Sequence, residues 1–399
     1  MASQEDHRRA AEPGRGRDAD TPMDIPARGL KDVAIRLWTQ LDDDHVSLVA
    51  AGVAFYSLFA LFPLLTALVS IYGLVADRGD IEQHLGKLYG LLPGDVIEIM
   101  RQQLVALNTT EAPKLGLLFG ASLLFSLWSA NKGMTSIFEA MNIAYGERER
   151  RNFFVFNLTT LQFTFGFILF LIVSLSAIIV LPPSLRYVGL DEDTHWLLSL
   201  SRWPILLAIV VTMNALVYRY GPSREKARWA WLSWGSVASA LAWMLTSALF
   251  SFYASNFARF NETYGSMGAV VAVMTWIWLS AMIVIAGAEL NAELEHQTAR
   301  DTTTGKDAPL GARGARMADT VGPNADQTRN DPKSAAKPNA LVGQAAGPGV
   351  GDGVTPRKRK RPREERGSWL GRFAAGMLVN AIKAKTKSRR DRPLPPPAR

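Results

Sequence analysis

YGSMGAVVAVMTWIWLSAMIVIAGAELNAELE, Tyr264 to Glu295, is the stretch whose reading decides the fold. Its 22 residues from Met267 to Ala288 carry no charge. A helix rising ~1.5 Å per residue covers a hydrocarbon core of ~30 Å with that many. The segment is apolar on all sides rather than along one stripe, which marks a span and not a surface helix. Gly265-Ser266 precedes it, and Glu289, Asn291, Glu293 and Glu295 close it.

Working outward, five more apolar blocks supply companions. The pattern predicts an all-α polytopic membrane protein with six transmembrane helices, at about 46–76, 115–138, 153–181, 203–218, 229–257 and 267–288. Pro63 falls near the middle of the first. It removes one backbone donor and frees the carbonyl of Phe59, so a kink or hinge is expected there. In lipid the freed group needs a partner, from Ser57, Thr66 or a neighbouring helix. The second block is the least apolar, because it carries Asn131 and Lys132 and is followed by Glu139. Small residues in the fifth, Gly235, Ser236, Ala238, Ser239, Ala240 and Ala242, permit a close helix crossing. Residues 30–41 have apolar positions at helical spacing and read as a short helix on the membrane surface.

The rest of the 399 residues is polar. Residues 1–29 and the linker 296–356 are rich in Gly, Pro and charge and poor in large apolar residues, so both are expected to be disordered. The net charge of +8 is unevenly placed. Residues 357–399 hold 15 Lys or Arg against three acids, giving about +12 and leaving about −4 elsewhere. Within that tail Trp369, Leu370, Phe373, Met377, Leu378 and Ile382 recur at helical spacing. It reads as a basic amphipathic helix resting on anionic lipid headgroups, with no specific nucleic acid as partner. No cleavable signal peptide is expected. Basic residues are dense in 139–152 and 219–228 and sparse in 182–202 and 253–264. That alternation puts both termini in the cytoplasm.

Polar residues at membrane depth are the candidate functional groups. Lys132 and Glu139 share a helix face, and both also lie near enough to a helix end to reach water. Asn131, Asn157, Gln162 and Asn214 either line a polar cavity or tie helices together. Asn261 and Tyr264 gather at one mouth of the last helix, and Glu289, Asn291 and Glu293 at its other end. Glu289 and Glu293, four apart, are placed to meet Arg148, Arg150 or Arg219. Such pairs either pin helix ends or open alternately as gates about Pro63.

Three stretches carry a resemblance. The first is Ala50-Ala51-Gly52 with Phe55-Tyr56-Ser57 and Leu61-Phe62-Pro63-Leu64. The second runs from Ala140 to Tyr145 with Glu149-Arg150-Arg151. The third runs from Tyr218-Arg219-Tyr220-Gly221-Pro222 through Asn261 and Tyr264–Ala269 to Gly287–Leu294. Over about residues 35–295 the chain resembles the YihY/BrkB-like bacterial inner-membrane proteins, once labelled ribonuclease BN. The resemblance implies six helices in the bacterial envelope and a transport or lipid-export role.

Enzyme chemistry finds little to work with. There are no cysteines, which excludes thiolate metal sites and Cys nucleophiles. None of the five histidines lies in an expected span, and none pairs at ligand spacing. Asp42-Asp43-Asp44, just before the first span, could invite a metal but reads as a solvated acidic run at a membrane edge. There is no P-loop and no GxSxG. No catalytic residue, metal or cofactor is implied. The expected function is movement of a lipid-linked or small anionic solute. A scaffold recruiting partners through the basic tail is the alternative, with a ribonuclease third. Oligomeric state is left open.

Overall fold

The computed structural model describes residues 3–75, 112–175, 192–256 and 267–330. Among these residues the secondary structure is helical, apart from an isolated antiparallel bridge between Ala227 and Thr303. Short α1 (Gln4–Ala10), a 3-10 turn (Pro22–Asp24) and α2 (Ala27–Asp43) come first. Six long helices follow: α3 (Val46–Val75), α4 (Ala112–Ala144), α5 (Phe153–Leu175), α6 (Glu192–Tyr220), α7 (Trp229–Asn256) and α8 (Gly268–Glu295). Short α9 (Arg316–Asp319) and α10 (Ala325–Asn330) end the described chain.

Among the described residues, four segments are long and apolar enough to cross a bilayer: Val46–Leu64, Phe153–Val173, Trp229–Ala254 and Gly268–Glu295. Pro204–Tyr220 is a shorter apolar helix. Their outer faces leave large apolar side chains uncovered, as at Phe154 (81% exposed), Leu169 (62%) and Leu245 (61%). A soluble monomer does not expose contiguous apolar surface on this scale, and acyl chains are the solvent that suits it.

Helix α8 is the hub. It packs against α3, α4, α7 and α2, while α3 pairs with α4, α6 with α7, and α5 with α4. The core lies toward the end where α4, α6 and α8 finish and α3, α5 and α7 begin. There Val46, Ala50 and Val53 meet Met141, Tyr145, Tyr218, Leu232, Ile285 and Ala288. Small residues make the α7–α8 crossing close. A Cβ added at Gly235 would stand 2.2 Å from the Gly287 carbonyl oxygen. The small positions of α7 split between the faces: Gly235, Ser236, Ser239 and Ala240 are buried, and Ala242 is exposed.

Polar side chains stitch the helices, as they must where no water competes. Trp243 and Trp276 each donate an indole N–H across the α7–α8 seam, to Ser280 (3.0 Å) and Ser247 (3.1 Å). Trp278 reaches the Ser47 carbonyl of α3 at 3.0 Å. Helix α3 runs on through Pro63 to Val75. Near the proline, Ser126 and Ser129 of α4 donate to the carbonyls of Ala60 and Tyr56, at 3.0 and 3.1 Å. Hydroxyls from the neighbouring helix thus serve the backbone around the break.

The two polar segments depart from the sequence expectation. Residues 3–25 and 296–330 are folded, together forming a layer under the core end of the bundle. Arg17 donates to the carbonyls of Gln297 and Gly322, Arg9 to that of Val321, and Arg17's own carbonyl accepts from Ala299 N–H. Arg313 alone ties four carbonyls, those of Ala299, Arg300, Ala308 and Ala318. Apolar content predicted disorder because it measures hydrophobic burial. This layer is held by guanidinium–carbonyl bonds, to which hydropathy is blind. The linker beyond residue 330 and the basic tail lie outside the described residues.

Helix α2 inverts the usual amphipathic arrangement. Its buried face is Asp32, Val33, Arg36 and Gln40, whereas Leu30 and Trp38 (54% exposed) point outward. An outward apolar stripe is what a helix lying on a membrane surface presents.

Candidate functional site

The turn 145–152 begins with a Schellman ending of α4. Gly146 takes φ 63°, and the N–H groups of Gly146 and Glu147 bond back to the carbonyls of Ile143 and Asn142. The reversal throws Glu149 and Arg151 toward the start of α5. Arg151 grips Glu149 at 2.7 and 2.8 Å and also donates to the carbonyls of Tyr220 and Gly221 at the end of α6. Asn142 joins the same knot: its amide donates to Glu149 (3.0 Å) and its oxygen accepts from Ser223 N–H (2.7 Å).

Glu149 is pulled two ways. Burial would raise its pKa, but the hydrogen bonds from Arg151 and Asn142 win, and it sits below the ordinary carboxylate range. A depressed carboxylate adds stability that is present above its unfolded pKa and lost as pH falls through the folded value. Glu149→Gln is therefore expected to cost about 1–2 kcal/mol at pH 7, as for charge-assisted hydrogen bonds. The difference from the parent should shrink as unfolding is measured toward pH 4 and below. Glu147 is shifted the other way, upward by burial against the opposing Arg316 N–H and Arg224.

Between α5 and the turn that follows α6 lies a cavity of about 460 Å³. Arg151, Arg219, Arg224 and Lys226 line it, with Thr159 and Gln162 from α5. Arg224 is buried and paired through both Nη atoms with Glu295 at 2.6 Å each. Thr302 also donates to Glu295. Burial opposes the charge on Arg224, but Glu295 outweighs it and its pKa is raised. Arg219 lies face-on to the Trp229 ring, 4.5 Å from its centroid, and donates to the Ala227 carbonyl. Lys226 places its ammonium 5.0 Å over the Tyr220 ring.

The residues singled out in the sequence fall into distinct places. Asn131 accepts from Thr164 of α5 at 3.3 Å, and Asn214 donates to Ser239 of α7 at 3.0 Å, so both tie helices together. Asn291 bridges α8 to α7, accepting from Gly235 N–H at 2.7 Å and donating to the Leu232 carbonyl at 3.1 Å. Glu289 is fully buried at the same end of α8. Glu293 pairs with Arg36 of α2 at 2.6 Å, both within 1% of complete burial, so its arginine comes from none of the three turn residues expected. Lys132 is half-buried and Glu139 exposed, and neither lines the cavity. Asn261 and Tyr264 lie outside the described residues. Gln162 was the polar residue that did mark the cavity. The basic residues around it were legible only as an orientation signal.

A bundle of long helices with an apolar girdle, polar stitching and a basic hollow at one end defines an integral, polytopic helical membrane protein. A family described as Virulence factor BrkB matches residues 37–311. The chain belongs to this family. It is 28% identical to the ribonuclease-like protein YfkH of Bacillus subtilis, over 61% of this chain and 88% of that protein. It is 26% identical to a UPF0761 membrane protein of Vibrio campbellii, over 65% and 80% of the two chains. With a UPF0761 membrane protein of Chlorobium phaeobacteroides the identity is 28%, over 63% and 55%. No solved structure matches the chain.

Proposed function

We propose that this is a carrier of the bacterial inner membrane that moves a lipid-linked or small anionic solute. The basic cavity is its entrance on the cytoplasmic side. The observation that carries the reading is the cavity itself, with four cations facing one hollow between two apolar helices. Membrane ion and solute pathways put charge where it faces a cavity rather than lipid. In this reading six helices cross, and both termini are cytoplasmic. Two features support that topology: the spacing of Lys and Arg along the chain, and the position of both described terminal segments at one end of the bundle. The basic tail rests on anionic headgroups.

A ribonuclease is the third reading, after the name one relative carries; incubating the purified protein with RNA and a divalent metal ion tests it.

The test is reconstitution in liposomes with labelled anionic lipids and small anionic solutes. Exchange or flux above empty vesicles is expected, reduced about tenfold or more by Arg219→Gln with Lys226→Gln, as for loss of paired charge contacts. Flux no greater than in empty vesicles, for every anion tried, would sink the carrier reading. Lys132→Ala and Glu289→Ala test the other candidates, and full retention of flux removes them from the pathway.

A further inference from the structure

We propose that the cavity is a binding site for a phosphomonoester dianion, an inference that rests on the carrier reading above. The argument is one of charge matching. Of the four cations that line the hollow, Arg151 is neutralised by Glu149 and Arg224 by Glu295. Among the described residues, no carboxylate pairs with Arg219 or Lys226. The Nε of Arg219 is buried and has no acceptor among the described residues. Both cations are set in place by aromatic rings, Arg219 on Trp229 and Tyr220, and Lys226 on Tyr220. Aromatic faces hold a cation without neutralising it.

Two fixed, uncompensated positive charges thus share one hollow, and a ligand of charge −2 balances them. Gln162 of α5 adds a neutral amide donor on the opposite wall, beside Thr159, whose hydroxyl donates to the Val155 carbonyl. A phosphomonoester supplies both the charge, about −1.5 to −2 at pH 7, and three acceptor oxygens for the two cations and the Gln162 amide. A phosphodiester carries one charge and leaves one cation unmatched. At about 460 Å³ the space exceeds a phosphate group, so the organic part of the ester also has room.

The chemistry carries a pH signature. The second phosphate ionisation lies near pH 6, so the ligand loses one charge between pH 7.5 and 5. The lining residues contain no carboxylate or imidazole. The carboxylates behind them are Glu149, held below its ordinary range, Glu295, bound to Arg224, and Glu147, raised by burial and facing Arg224, while Glu225 on the same turn is exposed. Protonating any of these carboxylates makes the hollow more positive and strengthens anion binding, so a weakening toward pH 5 follows the ligand's own titration. Sulfate, a dianion across the whole range, is the control.

The experiment uses the full chain in detergent and in lipid nanodiscs. Inorganic phosphate and sulfate are titrated at pH 7.5 and pH 5. Nanodiscs contain either phosphatidic acid, a phosphomonoester lipid, or phosphatidylglycerol, a phosphodiester. Phosphate binding should weaken at pH 5 and sulfate binding should not. Phosphatidic acid should be retained over phosphatidylglycerol. Arg219→Gln and Lys226→Gln should each weaken binding about tenfold. Lys226 is exposed, so its variant reports on the site without disturbing the fold. Binding of phosphate alone identifies a soluble ester as the source, and binding of phosphatidic acid alone identifies a lipid. Binding of neither overturns the inference, as does equal retention of both lipids with no effect of the two variants. Flux without phosphate binding defeats this inference and leaves the carrier reading. Phosphate binding without flux does the reverse.

Discussion

Gly235→Ala is expected to lower the thermal midpoint of the detergent-solubilised protein sharply, and Gly235→Leu to leave no monodisperse protein. The added Cβ would meet the Gly287 carbonyl at 2.2 Å and the Asn291 amide at 2.5 Å. A flexible side chain can step aside, but a carbonyl in the middle of α8 cannot move without moving the helix. Overpacking of a tight contact costs about 1–3 kcal/mol when neighbours can shift. Here the backbones themselves must part, which also pulls Asn291 from Gly235 N–H and the Leu232 carbonyl. A loss of about 3 kcal/mol or more is expected. The paired control is Gly166→Ala on α5, where an added Cβ meets nothing within 4 Å. It should be neutral or gain up to about 1 kcal/mol of helix propensity. Similar midpoints for the two alanine variants would contradict the close crossing.

Glu295→Ala is the second large effect. It strips the carboxylate from Arg224, whose side chain is 2% exposed. Arginine does not escape by losing its proton. An uncompensated buried charge of this kind costs about 3–5 kcal/mol. The size of that loss measures stranded charge more than the value of the pair. Replacing both partners, as Arg224→Met with Glu295→Leu, should therefore recover most of the stability. Adding Thr302→Val removes the hydroxyl that would then lack its acceptor. Unfolding followed by intrinsic tryptophan fluorescence reads all four proteins. A double variant as unstable as Glu295→Ala would show that the salt bridge does not account for the loss.

The apolar spans were legible because a bilayer imposes one simple demand, a long uncharged run, and Val46, Phe153, Trp229 and Gly268 open such runs. The small face of α7 was legible for the same kind of reason. Partner choice was not. Glu293 and Glu295 stood out as acids closing α8, yet their arginines lie 257 and 71 positions away, at Arg36 and Arg224. No local pattern encodes such a pairing. The basic residues from Arg219 to Lys226 were readable as a topology signal, and only the fold shows that they also face Thr159 and Gln162 across a hollow. The polar layer was missed because arginines that bond carbonyls look, in a composition count, like arginines in water.

That layer has a bearing on biosynthesis. Arg17 is bound to the Gly322 carbonyl, 305 positions downstream. A ribosome must finish all six long helices before the acceptor exists. The opening segment therefore waits through the whole of membrane insertion, and the layer closes as the last event of assembly. A nascent chain stopped at the end of α8 would keep its helices and still lack the closure, which makes protease sensitivity of the first 25 residues a readout of completed folding.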